Sequence, residues 1–147
     1  MSDQPDPFDL NRFVKAQAGT YDDALLEIRR GRKRGHWMWY IFPQMAGLGR
    51  SAMSDQFAIH SLTEARAYLA HPVLGPRLLV AVRTLHELAD TTAEAVFGTI
   101  DAMKLCSSLT LFETAGSVPE LADSLNRWFN GEADGRTIEL IAMSQVR

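Results

Sequence analysis

The stretch Trp37-Met38-Trp39-Tyr40-Ile41-Phe42 sets six large apolar side chains in succession. Neither one face of a helix nor one face of a strand can collect six consecutive side chains, so residues pointing in opposite directions must both be buried. Six residues suit a buried strand or a buried helical segment, and periodicity does not separate the two. In either form the segment is the central element of the fold. Pro43 ends it, and the polar residues His36 and Gln44 bracket it, where the chain enters and leaves the core.

The rest of the chain can enclose such an element. It has 147 residues, of which 46% are apolar and 22% charged, values ordinary for a soluble globular domain. That excludes a disordered chain, which is poor in apolar and aromatic residues. One cysteine excludes a disulfide scaffold and fits a reducing compartment. No apolar run approaches the roughly 20 residues that span a bilayer, and the start, MSDQPDPFDL, lacks an apolar signal core. The expectation is a cytoplasmic protein without a membrane partner, with an acidic tail over residues 1–7 and one domain over 8–147.

Helix signals recur along that domain. Asp6-Pro7-Phe8-Asp9 offers a cap, a proline at the first helical position and a carboxylate at the third. Leu10, Phe13 and Val14 follow. A second helix starts at Thr20-Tyr21-Asp22-Asp23, carries Tyr21, Leu25 and Ile28, and stops at Gly31. Ser61-Leu62-Thr63-Glu64, Thr91-Thr92-Ala93-Glu94 and Ser117-Val118-Pro119-Glu120 have capping-box spacing. Leu74, Leu78, Val82, Leu85 and Ala89 form one helical stripe, and His71-Pro72 ends the helix before it. Gly98 and Gly131 stand where a C-terminal cap needs positive φ. Leu121, Leu125, Trp128 and Phe129 mark a penultimate helix; Ile138, Ile141 and Ala142 mark the last. Strand alternation persists nowhere. The expected fold is all-α, a single compact domain of six to eight short helices.

Several stretches resemble a known family. They include Phe13-Val14-Lys15-Ala16-Gln17, the segment from Tyr21 to Gly31, His36-Trp37-Met38-Trp39-Tyr40-Ile41-Phe42-Pro43-Gln44 and Gly47-Leu48-Gly49-Arg50-Ser51. Glu64 to Pro72, Leu74 to Leu78, Phe97-Gly98 and Lys104 to Phe112 match as well. The chain resembles a domain-of-unknown-function family of small helical bacterial and fungal proteins, often mislabelled calpastatin. The resemblance implies a mainly helical fold and no particular reaction. A calpain inhibitor of that kind is a long disordered chain, which this composition contradicts.

Three clusters could bind something. Trp37 and Trp39 diverge by about 200° on a helix, so one is expected in the core and the other at a groove, where an indole could stack on a planar ligand. Lys33 and His36 lie just ahead and could meet phosphates. Gly47-Leu48-Gly49-Arg50-Ser51 could turn backbone donors toward an anion with Arg50 and Ser51 beside them, although it is neither a Walker A nor a dinucleotide fingerprint. Lys104, Ser107 and Ser108 share a helix face and could hold phosphate or ribose oxygens. The leading reading is a binding module for a small anionic, planar, nucleotide-like ligand. It would be lined by Lys33, His36, Trp37, Trp39, Gln44, Arg50, Ser51, Lys104, Ser107 and Ser108, with His36, Gln44 and Lys104 converging on one pocket.

A second reading is an enzyme acting on ADP-ribose or another nucleotide conjugate, with His36 as acid/base and Lys104 as electrostatic stabiliser. A third is an interaction protein that sets its basic run, Arg29, Arg30, Arg32, Lys33 and Arg34, on an acidic partner. The net charge of −3 argues against nucleic acid as a partner of the whole protein. The charge is uneven: residues 1–83 carry 11 Lys/Arg against 8 Asp/Glu, and residues 84–147 carry 4 against 10. No cofactor is expected. No metal site is expected either, because no two of His36, His60, His71 and His86 stand at ligand spacing. Cys106, between apolar neighbours and without a local base, reads as a small buried hydrophobe.

Overall fold

Nine helices run through residues 5–145, the part of the chain that the computed structural model describes. They are α1 (Asn11–Gln17), α2 (Tyr21–Arg29), α3 (Met38–Ile41), α4 (Ala52–Gln56), α5 (Leu62–Ala70), α6 (Leu74–His86), α7 (Ala93–Gly116), α8 (Pro119–Phe129) and α9 (Gly135–Gln145). The described residues are 66% helical, with no strand among them. The count exceeds the expected six to eight because the central apolar run folds as the single turn α3 and a second short piece, α4, follows the Gly47–Ser51 loop. One isolated parallel bridge, Met45 to Ile59, closes the segment that holds α4.

α7 is the hub, packed against α5, α8 and α9. From Leu105 to Phe112 only Cys106 is not fully buried, since neighbours cover the helix on several sides. That encirclement explains why α7 is long and apolar enough to pass for a membrane span by length and composition, although 56% of the qualifying stretch is buried inside the fold. α6 packs on α2, α5 and α8 through Leu74, Leu78, Val82 and Leu85, all at most 2% exposed. Ala89, the last residue of the expected stripe, lies beyond α6 and is exposed.

Several helix ends form as the sequence suggests. The Asp6 carboxylate accepts from the backbone N–H of Leu10 (2.8 Å) and Asn11 (2.9 Å), but Pro7 is not the first helical position: Asp9 turns to positive φ and α1 starts at Asn11. Ser61 caps α5 by accepting from Glu64 N–H. α2 ends at Gly31, whose φ of +74° lets Gly31 N–H reach the Ile28 carbonyl and Arg32 N–H reach that of Glu27. His71 ends α5 and caps α6, its Nδ1 accepting from Val73 and Leu74 N–H.

Others differ. Thr92, not Thr91, caps α7. Ser117 adopts left-handed geometry and serves as the end of α7, so α8 begins at Pro119 without a side-chain cap. Gly98 has positive φ, but the helix resumes immediately after it, making it a break within α7 rather than an end. In α9, Thr137 and Ile141 face inward, while Ile138 and Ala142 are exposed.

One buried ion pair ties the first helix down. Arg12 uses all five of its N–H donors: toward the carbonyls of Phe8, Asp9, Gln56 and Ala58, and toward Glu64 Oε2 at 2.9 Å. Glu64 is 3% exposed, and its other oxygen accepts from His60 N–H.

Candidate functional site

The apolar run folds as the single turn α3, and the side chains of its two tryptophans part company. Trp37 is 2% exposed. It meets Phe97 edge-on, with ring centroids 6.2 Å apart, and its Nε1 donates to Glu27 Oε1 at 3.0 Å. Trp39 is half-buried and borders a cleft. Lys104 reaches across from α7 and sets its ammonium 3.9 Å from the centroid of the Trp39 ring, within cation–π range. Lys33 stands 5.1 Å from the ring of Trp37.

Between the two lysines lies Asp101, which pairs with Lys33 at 2.8 Å and with Lys104 at 3.2 Å. Burial would raise its carboxyl pKa, but hydrogen bonds and charge from both ammonium groups outweigh that and hold it below the usual carboxylate value. Glu27 is governed similarly. Burial pushes its carboxyl up, and hydrogen bonds from Gly35 N–H, Arg34 N–H and the Trp37 indole bring it below its ordinary value. Neither carboxylate stands out from the sequence as a site residue. Asp101 at i,i+3 to Lys104 was the one available signal.

The cleft beside Trp39 is formed by Gln44, Gly49, Ser54, Asp55 and Phe57, among others. It is narrow: only about 10 Å³ of it admits a water-sized group, close to the least that holds one water. Gly49 fits because it lacks a side chain: a Cβ there would stand 2.6 Å from Ser54 Cβ. The backbone N–H groups of Gly49 and Arg50 meet no protein acceptor among the described residues. Arg50 itself is exposed.

The other expected site residues fall in different places. Trp37 is core, held by Glu27 and Phe97, so it offers no open stacking face. Ser107 and Ser108 follow Lys104 on α7 but are turned into the core, at 5% and 1% exposure. Ser107 donates to the Met103 carbonyl, and the hydroxyl of Ser108 is buried without a partner. Ser51 spends its hydroxyl capping α4. Lys33 is committed to Asp101 and to the Gly35 carbonyl.

Lys104 stacks on the Trp39 indole, and Gln44 lines the cleft that Trp39 borders. His36 is exposed and makes no hydrogen bond among the described residues, whereas the enzyme reading asks for it in a concave site beside a second polar group. Burial first, then the charge of Asp134, raises the thiol pKa of Cys106, the opposite of what a nucleophile needs. Among the described residues no group of three or more His, Cys, Asp or Glu side chains could hold a metal ion.

Similarity adds to this geometry. No curated protein matches the chain. A solved structure does: that of the conserved hypothetical protein Rv1873 from Mycobacterium tuberculosis has a TM-score of 0.91 and 46% sequence identity, covering 93% of this chain and 99% of that one. The family described as "Protein of unknown function (DUF1810)" matches residues 7–141. With that match running over nearly the whole of the fold, the chain belongs to the DUF1810 family.

Proposed function

We propose that the protein is a binding module for a small anionic ligand with a planar ring, nucleotide-like compounds foremost, seated at the cleft beside Trp39. The observation that carries this reading is the Lys104 ammonium stacked 3.9 Å from the Trp39 ring centroid. A cation and an aromatic surface, contributed by distant parts of the chain, thus stand together, and the indole borders the cleft. The unpaired N–H groups of Gly49 and Arg50 supply donors for an anion. The narrow space suits one oxygen of such a group, and the ring would lie on the indole with the Lys104 ammonium turned aside to the anion.

The test is a thermal-shift panel of nucleotides followed by calorimetric titration of any hit. AMP and ADP-ribose are expected to raise Tm. Lys104→Ala should weaken binding about tenfold, the worth of one charge-assisted contact, and the weakening should shrink at high salt. A panel in which no nucleotide raises Tm, or a hit whose affinity is unchanged by both Lys104→Ala and Trp39→Ala, overturns the reading.

A further inference from the structure

Arg29, Arg30, Arg32 and Arg34 are all exposed. None pairs with a carboxylate among the described residues; the ion pairs there involve Arg12, Lys33, Arg83, Lys104 and Arg136. The nearest acid along the chain, Glu27, cannot neutralise them cheaply. One of its oxygens already accepts from Arg34 N–H, Gly35 N–H and the Trp37 indole. Asp22 and Asp23 stand at the opposite end of α2. Lys33, in the middle of the run, turns inward to Asp101 at 9% side-chain exposure, leaving Arg32 and Arg34 outside on either side of it. The favourable placement of cations near a helix C-terminus accounts for Arg29 and Arg30. It does not account for Arg32 and Arg34, which lie past the end of α2.

We infer that these four guanidinium groups form a docking surface for a short acidic segment of a partner protein. Arginine presents a planar fork that takes carboxylates bidentately, and all four exposed members of the run are arginine. The size of the partner follows from the charge of the whole chain. The net charge is −3, and residues 84–147 carry 4 Lys/Arg against 10 Asp/Glu. A long polyanion would meet the net negative charge of the chain as a whole. A segment of a few residues can confine its charge to the run. A nucleic acid strand would also want an exposed aromatic to stack on, and Trp37 beside the patch is buried. A membrane surface would want an apolar face to insert, and the neighbouring α2 exposes only Leu26 of its large apolar residues.

Fluorescence anisotropy with a labelled hexaglutamate peptide tests this, with a glutamine peptide of the same length, random duplex DNA and phosphatidylserine vesicles as comparisons. The wild type should bind hexaglutamate at about 50 mM salt and lose most of that binding at several times that concentration. The quartet Arg29→Gln/Arg30→Gln/Arg32→Gln/Arg34→Gln should bind about tenfold or more weaker, the sum of several modest exposed pairs. The matching Arg→Lys quartet should lose less. Circular dichroism checks folding, and should the quartet misfold, the loop pair Arg32→Gln/Arg34→Gln reads the same direction outside any helix. Absence of hexaglutamate binding at low salt, equal binding of the glutamine peptide, unchanged affinity in a folded variant, or tighter binding of DNA or vesicles overturns the proposal.

Discussion

Trp37 and Trp39 stand two positions apart and live in different environments, and most of the local chemistry follows from that. Trp37 is sealed between Glu27, Phe42 and Phe97, so Trp37→Ala should cost about 3–5 kcal/mol, as truncating a core aromatic does. Trp39 has one side at a cleft and needs only part of its area covered, so Trp39→Ala should cost about 1–2 kcal/mol. Urea unfolding of the two variants checks this, and equal losses would refute the asymmetry. The divergence of the pair was legible in the spacing. Which of them turns inward was not, because Phe97, 60 positions on, and Glu27, on the preceding helix, decide it together only in the packed fold. Asp101 escaped notice for the same reason: its chemistry depends on Lys33, brought to it only by the packed fold.

Helix ends were readable where the cap is local and obscured where a neighbour competes for it. Ser61 and Glu64 sit in a single turn, and the box forms there. Ser117 has the same spacing to Glu120, yet the end of the preceding helix claims it, and Glu120 turns to Arg83 instead. Gly98 shows the same competition inside α7. Its φ of +81° and ψ of +165° lie in a region open essentially to glycine alone, and no atom would touch an added Cβ. Gly98→Ala therefore separates backbone strain from crowding. Despite the better helix propensity of alanine, it should destabilise by about 1–3 kcal/mol, measured by chemical denaturation. A stabilised variant would mean that α7 can run straight through this position.

Across the whole molecule, the loop between α2 and α3 is moored from both sides by carboxylates: Asp101 of α7 holds Lys33, and Glu27 of α2 gathers Arg34, Gly35 and Trp37. Both carboxyls titrate below their ordinary values, 3.8 for Asp101 and 4.5 for Glu27. A lowered folded-state value means stability that is fully present above the unfolded value and lost as pH falls through the folded one. Melting temperature should therefore hold from neutrality to about pH 5 and fall below about pH 4. Asp101→Asn should lower it at neutral pH and flatten the acid side, so that the two curves approach each other near pH 3 or below; parallel curves would show that Asp101 contributes nothing to the acid response. The all-α class was legible because caps and stripes are local, whereas this mooring joins segments whose contact no periodicity announces. The pairing of Arg12 with Glu64 has a further consequence, one for where the chain can be cut or extended. A boundary drawn after Arg12 would strand the buried Glu64 carboxylate, at about 3–5 kcal/mol. Asp6, bonded to the N–H groups that open α1, belongs to the same lead-in, and any shortened or fused form must keep Asp6 to Arg12 to stay whole.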